Sequence, residues 1–229
     1  MADARRRIIT DSLGVGIGVG TYGITFGALA TSSGLTVVQT CVLSLLAFTG
    51  ASQFAFIGVI ASGGAPFTAA LTATLLGARN MFYSISLANI LQVKGWRKLP
   101  VAHIVIDEST AMALAQDEPE AARTAFAWTG VSIFIMWNAT TLIGALAGNA
   151  IGDPKTFGLD AAVGAAFLGL LWPRLNTRLA QVVALAAVLT AATLVPLTAP
   201  GVPIIVGGGA AVVLGLVLNR CLGEEKGTS

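Results

Sequence analysis

Seven apolar runs fill most of the chain, at roughly 12–32, 36–61, 66–91, 124–148, 157–173, 180–198 and 202–219. Each is near the length a helix needs to cross the hydrocarbon layer, about 20 residues at a rise of about 1.5 Å each. Inside lipid every backbone N–H and C=O must be satisfied internally, and single runs of this length do so as helices. The fold class read from them is all-α: a polytopic helical membrane protein of about seven or eight transmembrane helices. Charge content agrees, because only 10% of the 229 residues are charged, against about a quarter in an ordinary soluble domain. The 27 glycines permit the close backbone approach by which helices associate in lipid. Gly14/Gly18, Gly16/Gly20, Gly23/Gly27 and Gly144/Gly148 stand at helix-contact spacing.

Arg5, Arg6 and Arg7 precede the first run as they would in a signal peptide, but the membrane pattern continues beyond it. The run therefore reads as a retained first span. The domain reading is a cytoplasmic N-terminal tail over 1–11, a single permease domain over 12–219 and a polar C-terminal tail over 220–229. A net charge of +2 is too small to point to nucleic acid, and Cys41 and Cys221 give no disulfide framework. Gly18 to Gly23 match G-x-G-x-x-G, but without a βαβ setting the match is glycine packing. The sequence carries no Walker motif, zinc-ligand spacing or nucleophile elbow. No enzyme activity, cofactor or metal is expected.

Residues 101–116 resist the simple reading. They are apolar at both ends, carry Asp107 and Glu108 in the middle, and lie between Lys94, Arg97 and Lys98 on one side and Asp117 to Arg123 on the other. A short polar span, a re-entrant segment and a cytoplasmic amphipathic helix all fit. Under the positive-inside rule, a span gives eight crossings with Lys94 to Lys98 misplaced outside. Leaving the segment out gives seven, with Arg5 to Arg7 misplaced instead. Eight is favoured, because it yields a 3+3 arrangement of interrupted helices plus a C-terminal helical hairpin, and three-helix units of odd count would be inverted repeats.

Three polar constellations interrupt the apolar runs. Phe48 to Phe54 (FTGASQF) sets Thr49, Gly50, Ser52 and Gln53 near mid-membrane depth, where polar groups need partners or a cavity. A broken helix that frees backbone groups for a substrate and a plain helix–helix contact both account for it. Arg79 stands near the middle of the third run, where a cation costs about 2.5 kcal/mol or more. It therefore needs a carboxylate, backbone carbonyls or an anionic ligand. Asn80, Tyr83 and Ser86 lie within two turns of it. Asp107 and Glu108 are adjacent carboxylates in an apolar context. That makes them candidates for proton coupling or for pairing with Arg79, and His103 stands one helical turn away. A zwitterion with an apolar side chain suits such a set: Arg79 for its carboxylate, Asp107 or Glu108 for its ammonium. Gly50, Ser52 and Gln53 would complete the site, with Phe26, Phe48, Phe54 and Tyr83 as wall.

GITFGALA (23–30), FTGASQF (48–54), LLGARNMFYSISL (75–87) and IDESTAMA (106–113), in this order, resemble the AzlC family. These are the AzlC/BrnF-type large subunits of branched-chain amino acid exporters. The resemblance covers the N-terminal half; beyond about residue 150 it extends only to hydropathy and size. It implies export of leucine, isoleucine, valine and in some members methionine across the bacterial cytoplasmic (inner) membrane. It also implies a small hydrophobic AzlD-type membrane subunit as partner. Without an ATPase signature, transport is expected to run on an ion gradient. Asn80 stands where many relatives carry His directly after the Arg.

Overall fold

The computed structural model describes residues 2–151, 168–169, 171–172 and 175–226. Most of the run read at 157–173, and residues 227–229 of the tail, lie outside them. Among the described residues all regular structure is helical. The first run forms α1 (Ala2–Gly20) and α2 (Tyr22–Ser32), the second α3 (Val37–Leu46) and α4 (Ala51–Ala61), the third α5 (Pro66–Gly77) and α6 (Arg79–Leu91). A 3₁₀ turn at Gly95–Arg97 leads to α7 (Lys98–His103) and α8 (Asp107–Leu114), then α9 (Pro119–Ile151), α10 (Arg178–Leu194) and α11 (Val202–Lys226). Helix α1 thus takes in the residues read as an N-terminal tail, and α11 runs into those read as a polar C-terminal tail.

The long helix α9 sets the frame. Ser132 Oγ donates to the Ser12 carbonyl at 3.3 Å and Thr140 Oγ1 to that of Gly20 at 2.6 Å. Further along, Gly27 lies against the backbone of Thr141, and Gly144 against that of Ile24. The register advances in the same sense on both sides, so α1–α2 and α9 run parallel, and both start at one face of the bundle. A Cβ on Gly27 or Gly144 would collide with the facing backbone, so these two glycines set the interhelical distance.

The second run leaves the far face as α3, whose N-terminus Thr36 and Gln39 close with a capping box. It does not cross. Gln53 Nε2 donates to the carbonyls of Leu43 (3.4 Å) and Ser44 (3.3 Å). On a continuous helix those residues would lie about 15 Å away along the axis, beyond the reach of a glutamine. The chain reverses instead at Ala47–Gly50, where Gly50 adopts φ +59°, a backbone region natural only for glycine. Helix α4 then climbs back beside α2, with Phe54 edge-on to Phe26 (5.7 Å between centroids) and to Trp137 (6.2 Å).

Pro66 opens α5 at the first helical turn, and α5 runs antiparallel to α4, with Gly77 near Ser52. At Ala78 the helix bends without reversing, since the Ala78 amide still donates to the Thr74 carbonyl at 2.9 Å. Helix α6 ends at the face where α9 begins, because Arg123 Nε donates to the Ile90 carbonyl at 2.8 Å. From that face α7 enters. Ile104 packs on Gly130, and the His103 ring lies 5.6 Å from Phe134 and 6.1 Å from Phe48. Helix α8 then returns, burying Ala113 in one cluster with Ala122 and Phe126 of early α9.

Residues 101–116 therefore form a second re-entrant hairpin, and this replaces the spanning reading. Its halves of 6 and 8 residues are each too short to cross. The two tips meet where His103 Nε2 donates to the Leu45 carbonyl at 2.8 Å. One crossing plus one hairpin is thus used twice in opposite orientation, as α1–α4 and α5–α8. This is an inverted repeat whose unit differs from the three-span unit expected.

The reversal of both hairpins also removes the charge conflict. Arg5 to Arg7, Lys94, Arg97, Lys98 and Arg123 all fall on the face where α1 and α9 start. The turn between α10 and α11 packs beside Gly64 and Thr68 at the other face, so Arg178 joins them. The positive-inside rule predicts that this face is cytoplasmic. With Cys41 and Cys221 replaced, Lys94→Cys and Glu118→Cys should both react with an impermeant maleimide from the cytoplasmic side, and Ser62→Cys from the outside. Labelling of positions 94 and 118 from opposite sides would restore the spanning segment. In detergent, Gly144→Val should lower thermal stability, an overpacking cost of about 1–3 kcal/mol, read as a fall in Tm.

Candidate functional site

Where the hairpin tips meet, a cavity of about 340 Å³ opens, at the lower end of the range for small-molecule sites. Its lining follows the repeat. Tyr22 and Arg79, Thr49 and Ile106, Gly50 and Asp107, Ala51 and Glu108 all border it, and 57 positions separate the members of each pair. Tyr22 and Arg79 each open the second half of an interrupted crossing, while Ala51 and Asp107 each open the returning half of a hairpin. The cavity thus lies at the centre of the inverted repeat, where transporters of such architecture place substrates.

Charge is confined to one unit. Arg79 Nη2 stands 3.0 Å from Asp107 Oδ2, with side chains 28% and 21% exposed, so the pair faces the cavity. Asp107 and Glu108 occupy the first turn of α8, where the partial positive charge of a helix N-terminus stabilises carboxylates. Ser109 ties that tip: the Ile106 amide donates to its Oγ at 3.1 Å, and its hydroxyl donates to the Ile104 carbonyl at 2.7 Å. The other unit supplies an uncharged helix start. Gly50, as N-cap of α4, makes no side-chain cap, and the first bond to its carbonyl comes from Gln53, so the Ala51 and Ser52 amides have no intrahelical acceptor. Phe48, Phe54, Ile133, Trp137 and Val19 close the cavity with apolar surface.

Of the residues singled out from the sequence, Gly50, Phe48, Phe54, Arg79, Asp107 and Glu108 border this cavity. Ser52 and Gln53 border a separate, mainly apolar space of about 360 Å³ between α3, α4 and α5. There Gln53 caps the carbonyl end of α3. Asn80 and Tyr83 border neither space, Tyr83 packing instead on the cluster around Leu87. Phe26 is fully buried and stacks on Trp137 at 6.2 Å. His103 belongs to the tip-to-tip contact, and the break at Ile104–Ile106 takes it off the helix that carries Asp107. Tyr22, Val19, Ile106, Ile133 and Trp137 escaped the sequence reading, because an apolar or aromatic residue within an apolar run gives no local signal. For Tyr22 and Ile106, the 57-residue repeat is such a signal.

This arrangement defines a multi-pass, all-helical membrane protein with an ion-paired cavity between two re-entrant hairpins. The AzlC protein family model matches residues 14–151, which holds both hairpins, the ion pair and α9. The chain belongs to the AzlC family. It is 30% identical to the inner membrane protein YgaZ of Escherichia coli K12 over 161 residues, 67% of this chain and 64% of that one. Over 148 residues it is 24% identical to the branched-chain amino acid transport protein AzlC of Bacillus subtilis 168, covering 64% of this chain and 58% of the relative. An uncharacterized membrane protein of Archaeoglobus fulgidus is 32% identical over 160 residues, 67% of this chain and 68% of its own length. No solved structure matches.

The two spaces separate stability from binding. Gln53→Met should leave the Ser44 carbonyl without its Gln53 donor, while Leu43 keeps the Ala47 amide, and destabilise the fold by about 1–3 kcal/mol, read as a lower Tm. Ligand affinity of the folded fraction should stay close to wild type, because Gln53 does not border the ion-paired cavity.

Proposed function

We propose that the chain is the permease subunit of a branched-chain amino acid exporter of the cytoplasmic membrane. The observation that carries this reading is the Arg79–Asp107 pair in the same cavity as the uncapped start of α4 and an apolar wall. A zwitterion such as leucine presents three needs at once. Its carboxylate is met by Arg79 and the α4 N-terminus, its ammonium by Asp107 and Glu108, and its side chain by Phe48, Phe54 and Ile133. The name of the Bacillus subtilis relative supports the same substrate class.

Transport runs on an ion gradient, with Asp107 and Glu108 as the coupling groups. Entry of the ammonium competes with Arg79 for Asp107, so loading the site and loosening the Arg79–Asp107 pair are linked. The two inverted units supply the two elements that rock against each other around a fixed midplane site. A small AzlD-type membrane subunit completes the exporter. Ser52, Gln53, Asn80 and Tyr83 then support the site from neighbouring positions.

The test is leucine efflux from proteoliposomes holding this chain with its partner subunit. Arg79→Gln should lower efflux about tenfold or more, as expected when a charged hydrogen-bond partner of the substrate is lost. It should also destabilise the fold, because it removes the ion-pair partner of the half-buried Asp107. The neutral pair Arg79→Gln with Asp107→Asn should recover Tm but not efflux. Recovery of both would reduce the ion pair to a structural role, and wild-type vesicles that move no amino acid would leave a scaffold.

A further inference from the structure

Two residues that line the ion-paired cavity, Trp137 and Arg79, each carry a buried hydrogen-bond donor without an acceptor, and the start of α4 adds backbone donors beside them. Trp137 is 4% exposed, and its indole Nε1 has no hydrogen-bond partner among the described residues. Arg79 Nε is in the same condition, while Nη2 of the same guanidinium holds Asp107. The third group is the Ala51 and Ser52 amides at the start of α4, which precede the first intrahelical bond and have no side-chain cap from Gly50. An indole N–H and a guanidinium N–H can only donate, and a buried donor left unmade carries a free-energy cost that a ligand acceptor removes. The ring of Trp137 is fixed by stacking on Phe26 at 6.2 Å and by the edge contact with Phe54 at 6.2 Å. Its N–H is therefore held in place rather than free to seek another partner.

We infer that Trp137, Arg79 Nε and the α4 N-terminus form one carboxylate-binding subsite, in which the Trp137 N–H is a specificity-determining donor. This deepens the reading given under Proposed function and rests on it. The subsite assigns the two ends of the substrate to different surfaces. The carboxylate takes the Nε edge of Arg79 together with Trp137 and the first amides of α4. Asp107 keeps its contact with Nη2, and the carboxylate is assigned to Nε. Discrimination against amines that lack a carboxylate follows, because they would leave these donors unmade.

The experiment measures equilibrium binding of leucine and of 3-methylbutylamine, which is leucine without its carboxylate, to the purified complex. It compares wild type, Trp137→Phe, and a variant with 3-benzothienylalanine at position 137. That last side chain keeps the shape of the indole and removes the N–H. Both variants should weaken leucine about tenfold, as for loss of a hydrogen bond to a charged group, and leave 3-methylbutylamine unchanged. Equal weakening of both ligands would make Trp137 only a wall. Unchanged leucine affinity in the benzothienyl variant would overturn the inference outright. If wild type binds no leucine yet binds 4-methylpentanoate in a manner sensitive to the benzothienyl variant, the amino-acid reading fails and the carboxylate subsite stands. Binding of neither overturns both.

Discussion

A guanidinium at mid-membrane depth is the constraint around which this fold is built. Arg79 cannot remain in hydrocarbon unpaired, and its partner Asp107 lies on another segment, so the chain must carry a second charge to the same depth and bring it within 3.0 Å. Helix α8 does this at little extra cost, because it begins at Asp107 and its own N-terminus stabilises the carboxylate. A helix that starts at the midplane must have been broken there, which is why the charge pair and the re-entrant hairpin come together. The opposing tip at Ala47–Gly50 closes the space from the other face. The carbonyls it exposes on α3 are satisfied inside the protein by Gln53, as lipid requires.

Duplication with inversion explains why the cavity has two chemically different sides. Corresponding positions of the two units face each other across it, but one unit carries Tyr22, Gly50 and Ala51 where the other carries Arg79, Asp107 and Glu108. The first unit therefore offers open amides and aromatic surface, and the second offers charge. A symmetric pair of charged tips would concentrate four carboxylates in one dry space, and a pair of glycine tips would give no hold on a cation. The asymmetry produces a site with separate places for the two ends of a zwitterion.

Much of this was legible in the sequence, and the missing part has a definite physical origin. Apolar runs and sparse charge gave the all-helical membrane class, and FTGASQF, Arg79 and Asp107–Glu108 marked the interruptions that border the cavity. Gly16, Gly20, Gly23 and Gly27 do meet α9, as their spacing suggested, whereas Gly14 and Gly18 face open space. Direction of travel was not legible. Hydropathy records how apolar a segment is, and a re-entrant hairpin of two half-helices has the same composition as one kinked crossing. Only a contact such as Gln53 with Leu43 distinguishes them. The positive charges held the same information in a form that the available topologies could not use, because neither the seven- nor the eight-span scheme contained two reversals. Trp137 was invisible for another reason: its role depends on an unmade hydrogen bond, a property of the packed structure alone.

In the proposed mechanism the two re-entrant tips meet at the midplane and enclose the substrate between them. A density map of the complex in lipid nanodiscs with saturating leucine tests it most directly. The map should show two hairpins reversing at Ala47–Gly50 and Ile104–Ile106, with ligand density between Ala51 and Glu108 and in contact with Arg79. A continuous crossing through either tip, or leucine held elsewhere with Arg79 and Asp107 closed on each other, would contradict it.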